Sequence, residues 1–435
     1  MNTKPLFLQP AKGKILVIAP FLVILGVTLT STLSIYSSIS QASFSLALGR
    51  VQNRIGSQAQ LTIGLFLSSL LCILTVLSQQ YYVKIIFEFI FGISCSVTYT
   101  ALLSNIRLLP SVIDSQQFYI LFVAYMNLGQ VFGPYFLVSS AFLKRCCYYP
   151  TGALLIVCCI YSVLITNSNF YKLKFDIAGA SISVLAFLTV LYSFFLGGLQ
   201  FYIPAFCLLL ISLSCFVGLY YIERSAVNPL IPLYLIQKPL VSLFFCSILT
   251  STINELIKFL FIQKLPYQSP ILIAGFETGL LICSLIGSLF TLLLQKKHLN
   301  KFIFLLSNLL IVLNQFLNMF ATTFWLRTMN TYLAQINCSV CLTLLPGVIM
   351  QLLPVKFNYV ASFLITCSGC CGKVIFFYIQ GALNYPYMIS LIVCLLPVIN
   401  LLLYYFGAGV QLSEVNKHKY QQSQVRVLEN IPIDE

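Results

Sequence analysis

Six charged residues stand inside long apolar runs, and these are the residues of the chain whose types and positions could support chemistry. They are Glu88, Glu255, Glu277, Lys84, Lys258 and Lys373. A charged side chain in an apolar medium is costly unless it is paired, so such residues are candidates for binding a cation or exchanging a proton.

Four of these residues form two couples. Lys84 and Glu88 are four residues apart, and Glu255 and Lys258 are three apart. Residues at these spacings lie on the same face of a helix, so each couple could neutralise itself as an ion pair. We favour this interpretation for Glu255 and Lys258, whereas for Glu88 a functional role and an ion pair with Lys84 are both open.

The remaining two candidates, one acidic and one basic, have no oppositely charged residue nearby in the sequence. Glu277 lies near a predicted helix end, between Gly275 and Gly279, where it could reach interfacial water. Lys373 could face a cavity or a glutamate of another helix. Both stay candidates on these grounds.

The composition indicates what kind of secondary structure must position these charged residues. Of 435 residues, 59% are hydrophobic and only 8% are charged, with a mean hydropathy of +0.95. This leaves too little polar surface for a soluble fold, so we expect an integral, multi-pass membrane protein. Apolar runs of about 20 residues recur along the chain and strand alternation is absent, which predicts an all-α membrane helix bundle.

The composition also argues against several function classes. The net charge of +14 comes from basic residues scattered along the loops, so no basic face for a nucleic acid is expected. The sixteen cysteines stand mostly in apolar runs, which is typical of packing residues and not of a disulfide framework or a metal site. We find no nucleophile motif or histidine cluster, and expect no catalytic residue, metal or cofactor.

The apolar runs predict about 13–14 transmembrane helices. The first run, residues 15–49, is too long for one crossing and short for two, so the first helix is either shortened or lost. The following spans are predicted at residues 61–77, 83–105, 118–142, 153–164, 177–196, 202–221, 240–261, 271–294, 302–320, 332–353, 360–379 and 388–406.

These spans predict four segments. Residues 1–166 would form an amino-terminal helix bundle, 167–222 a central extra helix pair, and 223–406 a carboxy-terminal helix bundle. The polar tail, 407–435, is expected to be disordered in the cytosol.

Loop charges support this register. If the basic segment at residues 48–57 faces the cytosol, the inside segments after the first run hold fourteen lysines and arginines, against four outside. Cytoplasmic loops of membrane proteins carry such an excess of basic residues. A slip of one helix would invert the pattern beyond it.

The segment at residues 48–57 also has a recognisable pattern. We interpret it as a short turn in which two glycines allow a sharp bend or a close approach. Its Gly-Arg-x-x-(Asp/Asn)-Arg-x-Gly pattern resembles the loop between helices two and three of the major facilitator superfamily of transporters. The matching residues are Gly49, Arg50, Asn53, Arg54 and Gly56. The resemblance implies a gating loop at the inner face.

A second pattern stands in the fifth predicted span. Gly129 and Gly133 lie one turn apart, where missing side chains permit close helix packing, and Pro134 bends the helix. The order resembles the antiporter signature of the same superfamily. The superfamily continues with two more glycines, where this chain has Leu137 and Val138.

Three weaker matches narrow the resemblance. They are Arg145 with Pro150 and Gly152, the Asp-x-x-Gly of residues 175–179, and the proline pair of residues 228–233. In this order they are similar to the fourteen-span drug:proton antiporter branch, which includes fungal vacuolar basic amino acid transporters. Asp176 by itself is also an ordinary helix-start acid.

The chain departs from the superfamily at three positions that the superfamily uses for proton coupling. Asn53 stands where the loop usually has an acid, and no acidic residue precedes Glu88 to serve in helix one. Glu88 itself falls on the register of an arginine of the fourth span, so the sign of that charge is reversed. The proton-coupling residues are therefore only partly kept.

The resemblance implies a secondary active transporter that exchanges basic amino acids or organic cations and drugs for protons by alternating access. It would be a monomer in the vacuolar or plasma membrane, and its partners would be a cationic small molecule, protons and the lipid bilayer. The candidates for handling substrate or protons are Glu88, Glu255, Glu277 and Lys373. The alternative is a degenerate member without transport that acts as a membrane sensor or regulatory protein.

Overall fold

The computed structural model describes most of the helical part of the chain. The described residues are 34–78, 80–107, 112–131, 176–226, 229–232, 235–236, 238–263, 269–295, 300–353, 357–382 and 386–408. They form twelve α-helices and no strand, which confirms the all-α class. Nine of these helices are long and apolar enough to cross a membrane, and the protein is an integral, multi-pass membrane protein.

The helices are numbered in chain order. They are α1 Ile35–Ile55, α2 Ser57–Leu77, α3 Tyr81–Arg107, α4 Val112–Gln130, α5 Ile177–Gly198, α6 Tyr202–Ser225, α7 Lys238–Gln263, α8 Pro270–Gln295, α9 Asn300–Phe320, α10 Phe324–Leu352, α11 Asn358–Ala382 and α12 Pro386–Leu403, and a π-helical turn Tyr404–Ala408 follows α12. We call the end of the bundle at which α1 ends and α11 begins the Arg50 end. Residues 1–33, 132–175 and 409–435, with the predicted span at 153–164, lie outside the described residues.

The expected turn at residues 48–57 is mostly helical, which corrects the sequence-based interpretation. Helix α1 continues to Ile55, and α2 begins at Ser57. Only Gly56 leaves the helical conformation, with φ 88°. A positive φ suits glycine because it has no Cβ, so this one residue is enough to reverse the chain.

Helix α10 begins well before the predicted start at residue 332. It starts at Phe324, because Thr323 is extended and ends the preceding connection. The Arg327 Nε donates to the Ala321 carbonyl at 2.7 Å. This contact places a charged residue in the first turn of the helix, where hydropathy alone suggests a loop.

Helix α3 packs closely against both α1 and α2 because small residues line these contacts. Five serines of α1 are buried, and most of their hydroxyls bond to carbonyls of α1 itself. The Ser40 hydroxyl also donates to the Phe89 carbonyl of α3 at 2.7 Å. Gly92 of α3 lies against the Ser37 backbone, where a side chain would not fit.

Helices α7 to α12 pack against one another. Three of them share a buried polar contact: the Asn400 side-chain amide donates to Thr250 Oγ1 at 2.9 Å and to Asn308 Oδ1 at 3.1 Å. These side chains are almost fully buried. Their mutual bonds satisfy most of the polar groups that burial would otherwise leave without partners.

Helices α1 to α4, which we call the amino-terminal half, contact helices α7 to α12, the carboxy-terminal half, at two places. At the first, α1 and α3 pack against α11, and at the second, α4 packs against α8 and α10. The central pair lies beside the first contact, since α5 packs against both α1 and α11, while α6 packs mainly against α5. Most of the large apolar side chains of α6 are exposed, Ile203 at 80%, which fits a lipid-facing helix.

Candidate functional site

The candidate site starts from the ion pair on α7. Lys258 Nζ lies 3.3 Å from Glu255 Oε1, so the couple predicted from its spacing is formed. The two side chains keep 25% and 21% of their exposure. The Asn254 amide also donates to Glu255 Oε1 at 3.1 Å. The carboxylate is thus held from two sides.

Two further charged candidates, each on another helix, interact electrostatically with this pair. Lys373 of α11 acts electrostatically on Glu255, and Glu277 of α8 is within electrostatic range of both Glu255 and Lys258. Lys373 is thus within electrostatic range of a glutamate of another helix. We call Glu255, Lys258, Glu277 and Lys373 the charged cluster. With two acidic and two basic residues, its formal charges balance.

An amide network continues from the charged cluster into the bundle. The Gln335 side-chain amide of α10 donates to Asn254 Oδ1 and to Ser284 Oγ, both at 2.7 Å. Gln335 is fully buried. Its Oε1 has no hydrogen-bond partner. This oxygen is a buried acceptor that an N–H group of a ligand could satisfy.

The polar network reaches the amino-terminal half. Ser339 Oγ donates to the Ser284 carbonyl at 2.6 Å and lies 3.2 Å from Ser288 Oγ. Across the contact between the halves, the Asn127 amide of α4 donates to Ser288 Oγ at 3.0 Å. A continuous row of polar groups therefore joins the charged cluster to α4.

Glu88 lies outside this arrangement. It is half-buried on α3, and its charge acts on Tyr36 of α1. Among the described residues the only ion pair within 4.0 Å is that of Lys258 and Glu255, so Lys84 and Glu88 do not pair. Nor is Glu88 among the charges that act on Glu255 or Glu277.

The gating segment predicted at residues 48–57 joins the two halves at the Arg50 end. Arg50 Nη1 donates to the Tyr359 hydroxyl of α11 at 3.0 Å, and the guanidinium lies 5.0 Å from the centre of the Tyr359 ring. Arg50 is only 4% exposed. Gly49 permits this approach, since a Cβ there would stand 3.2 Å from the Tyr359 carbonyl oxygen.

The remaining residues of the gating segment have different surroundings. Arg54 is exposed, and the side chain of Asn53 lies outside the described residues. Gly56 makes the chain reversal already described. In the part of this segment that the structure describes, Arg50 and Gly49 contact the other half directly.

The antiporter-like motif is described only in part. Gly129 lies in the last turn of α4, while Gly133 and Pro134 lie outside the described residues. Just beyond Gly129, the Val131 carbonyl accepts from Thr278 Oγ1 of α8 at 3.3 Å. The described part of the motif therefore stands at the contact between the halves.

The uncharged members of the site were not predicted from the sequence. Asn254, Gln335 and Asn127 are amides within apolar runs, and Tyr359 stands at the start of one. A signal was available, because amide side chains inside membrane spans tend to bond across helices. Their partners could not be found in this way, because serines such as Ser284 are common in these runs.

The chain resembles known proteins in structure, although no match to it is found by sequence. No protein-family model matches the chain, and no curated protein matches it. Among solved structures, the human organic anion transporter MFSD10 (TETRAN) superposes with a TM-score of 0.63 at 12% identity, covering 90% of this chain and 89% of that one.

Two structures of a second transporter also superpose. The E. coli fucose:proton symporter FucP has a TM-score of 0.58 at 13% identity, covering 92% of this chain and 99% of that one. FucP in the outward conformation, solved as a major facilitator superfamily transporter, has a TM-score of 0.55 with the same identity and coverage. The chain thus has the fold of these transporters.

Proposed function

We propose that this protein is a secondary active transporter that exchanges a cationic small molecule for protons across the vacuolar or plasma membrane. The observation that carries the proposal is the polar row from the charged cluster to Asn127, because it links a half-buried set of charges to the contact between the two halves. A transporter that works by alternating access needs a central site of this kind.

The two contacts between the halves provide the moving parts. Rocking of the halves would separate α1 from α11 at the Arg50 end, which breaks the contact of Arg50 with Tyr359. The row through Asn127 would rearrange as α4 moves against α8. Substrate and protons shift this equilibrium only by binding the two states with different affinity.

The chemistry of the site favours a substrate that donates hydrogen bonds. Gln335 Oε1 is a buried acceptor without a partner, and Glu255 and Glu277 are anionic when ionised. A basic amino acid or an organic cation offers both N–H donors and a positive charge. Such a ligand could compete with Lys258 for the Glu255 carboxylate, which a proton could do as well.

The proposal is tested by uptake into proteoliposomes with an imposed pH gradient, using labelled lysine, labelled arginine and tetraphenylphosphonium as probes. We expect the wild type to accumulate at least one probe above protein-free vesicles. Gln335→Leu should lower that uptake about tenfold, because losing one buried hydrogen-bonding group costs about 1.4 kcal/mol.

The matched control is Asn337→Leu. Asn337 is on the same helix, but its amide donates to the Leu333 carbonyl of its own helix in an exposed position, at 2.8 Å. This variant should keep uptake near the wild-type level. Equal uptake by the Gln335 and Asn337 variants would remove Gln335 from the proposed site.

A second candidate function is a membrane sensor or regulatory protein without transport. It is favoured by the departures at Asn53 and Glu88, which alter residues linked to proton coupling. Absence of uptake for all three probes, by protein that is folded and inserted, would support this candidate over transport.

A further inference from the structure

A separate pair of carboxylates lies at the Arg50 end, where the central helix pair begins and ends. Asp176 caps α5, and its Oδ1 accepts from the Gly179 backbone N–H at 3.0 Å. Glu223 is in the last turn of α6, and its Oε2 accepts from the Ile231 backbone N–H at 3.0 Å. Each contact occupies one oxygen of a carboxylate and leaves the other free for a ligand.

The two remaining oxygens lie near the same point in the structure. Asp176 Oδ2 and Glu223 Oε1 are both buried without a hydrogen-bond partner, and Glu223 as a whole is only 6% exposed. Both lie against the point where a side chain at Gly179 would begin, with Glu223 Oε1 at 3.0 Å from that point. Since residue 179 is glycine, the space between the oxygens stays open.

No positive charge of the described residues contacts this pair. Arg50 acts electrostatically on Glu223, but its guanidinium is held on Tyr359 and forms no ion pair within 4.0 Å. Arg54 and Arg224 are exposed. Two nearby carboxylates repel each other when both are ionised, and this repulsion is strong where water is excluded.

We propose that Asp176 and Glu223 form a proton-binding pair that holds one proton between Oδ2 and Oε1. A proton taken from solvent at the Arg50 end protonates one carboxylate, whose O–H then donates to the other. This satisfies both oxygens without a partner and removes one of the two negative charges. The inference does not rest on the proposed transport, and none of the four residues of the charged cluster belongs to the pair.

The test is infrared difference spectroscopy of the purified full-length protein in detergent over a range of pH, with the exchange into D2O used to assign carboxyl bands. We expect the wild type to show the C=O absorption of one buried carboxylic acid near neutral pH. Glu223→Gln and Asp176→Asn should each lose this absorption, because the pair then has no second carboxylate to share the proton.

Both substitutions conserve shape and leave an oxygen to accept from the backbone, so the fold should be retained. Glu255→Gln is the matched control, since it removes a glutamate that pairs with Lys258, and it should keep the absorption. The same carboxyl absorption in the wild type and in both pair variants would overturn the proposal.

A metal cation between the oxygens is the competing occupant. Thermal unfolding at fixed pH in sodium, potassium and choline chloride separates it from a proton. Equal melting temperatures in the three salts are expected. A stabilisation by sodium or potassium that Glu223→Gln abolishes would overturn the proton as the occupant.

Discussion

Glu255 accepts hydrogen bonds from Lys258 and Asn254, so its carboxylate is fixed by one charged and one neutral donor. The ion pair is partly exposed, and it shares its surroundings with Lys373 and Glu277. A pair of this kind keeps both charges in the interior at a moderate cost, because each has a partner.

At the residue scale we predict that Glu255→Gln destabilises the protein. Lys258 would lose its partner and remain in the interior as a charge. Breaking a fully buried pair costs about 3 to 5 kcal/mol, and the exposure of this pair places the expected loss below about 3 kcal/mol. The measurement is thermal unfolding in detergent.

The control is the double variant Glu255→Gln with Lys258→Met, which removes both charges and should recover most of the lost stability. If the double variant is as unstable as the single one, the ion pair is not the source of the effect. Uptake in the proteoliposome assay should be low in both variants, since both lack the proposed cation-binding carboxylate.

At the scale of helices, close contacts depend on single glycines. Gly372 of α11 faces α7, where a Cβ would stand 2.6 Å from the Ser251 Oγ and 2.9 Å from the Thr252 backbone nitrogen. The Ser251 hydroxyl donates to the Gly369 carbonyl at 3.0 Å across the same contact. The two helices are therefore so close that a methyl group on residue 372 would push them apart.

We predict that Gly372→Ala destabilises the carboxy-terminal half by about 1 to 3 kcal/mol, the usual cost of overpacking. Gly369→Ala is the matched control, one turn away on the same helix, where a Cβ would meet nothing within 4 Å. It should be neutral or stabilising by up to about 1 kcal/mol, because alanine favours the helix. Thermal unfolding of both variants measures the difference, and equal melting temperatures would contradict the close contact.

At the scale of the whole molecule, helices α1 to α4 pack against helices α7 to α12, and the pair α5 and α6 lies beside the contact of α1 with α11. On this packing we propose the division into 1–166, 167–222, 223–406 and the tail 407–435. Of the tail, Gly407 and Ala408 belong to the π-helical turn that ends α12. The count of 13–14 membrane helices includes spans outside the described residues.

The positive-inside distribution predicts the orientation of this molecule. In a variant without its natural cysteines, Arg54→Cys and Phe201→Cys place single thiols at opposite ends of the bundle, both at exposed positions. An impermeant thiol reagent should label the first only from the cytosol and the second only from the other side. Labelling of both from one side would show that the predicted register is wrong.

Composition and apolar run length determined the membrane class and the places of the helices, because any chain segment this apolar must bury its backbone groups in helices. Most predicted spans lie within the observed helices to a few residues. Exceptions arose at residues 48–55 and 324–331, where charged or polar side chains suggested loops. There Arg50 and Arg327 are accommodated by Tyr359 and by the Ala321 carbonyl.

The sequence also identified the charged residues that stand inside apolar runs. It identified the Glu255–Lys258 couple, because these two residues are one helical turn apart. Only the tertiary structure decided the other partners: Gln335 with Asn254, and Arg50 with Tyr359. The physical reason is that hydropathy and spacing describe one helix at a time, whereas these contacts join helices far apart in the chain. Which faces meet is set by the packing of small residues along each helix, and that packing belongs to the whole bundle.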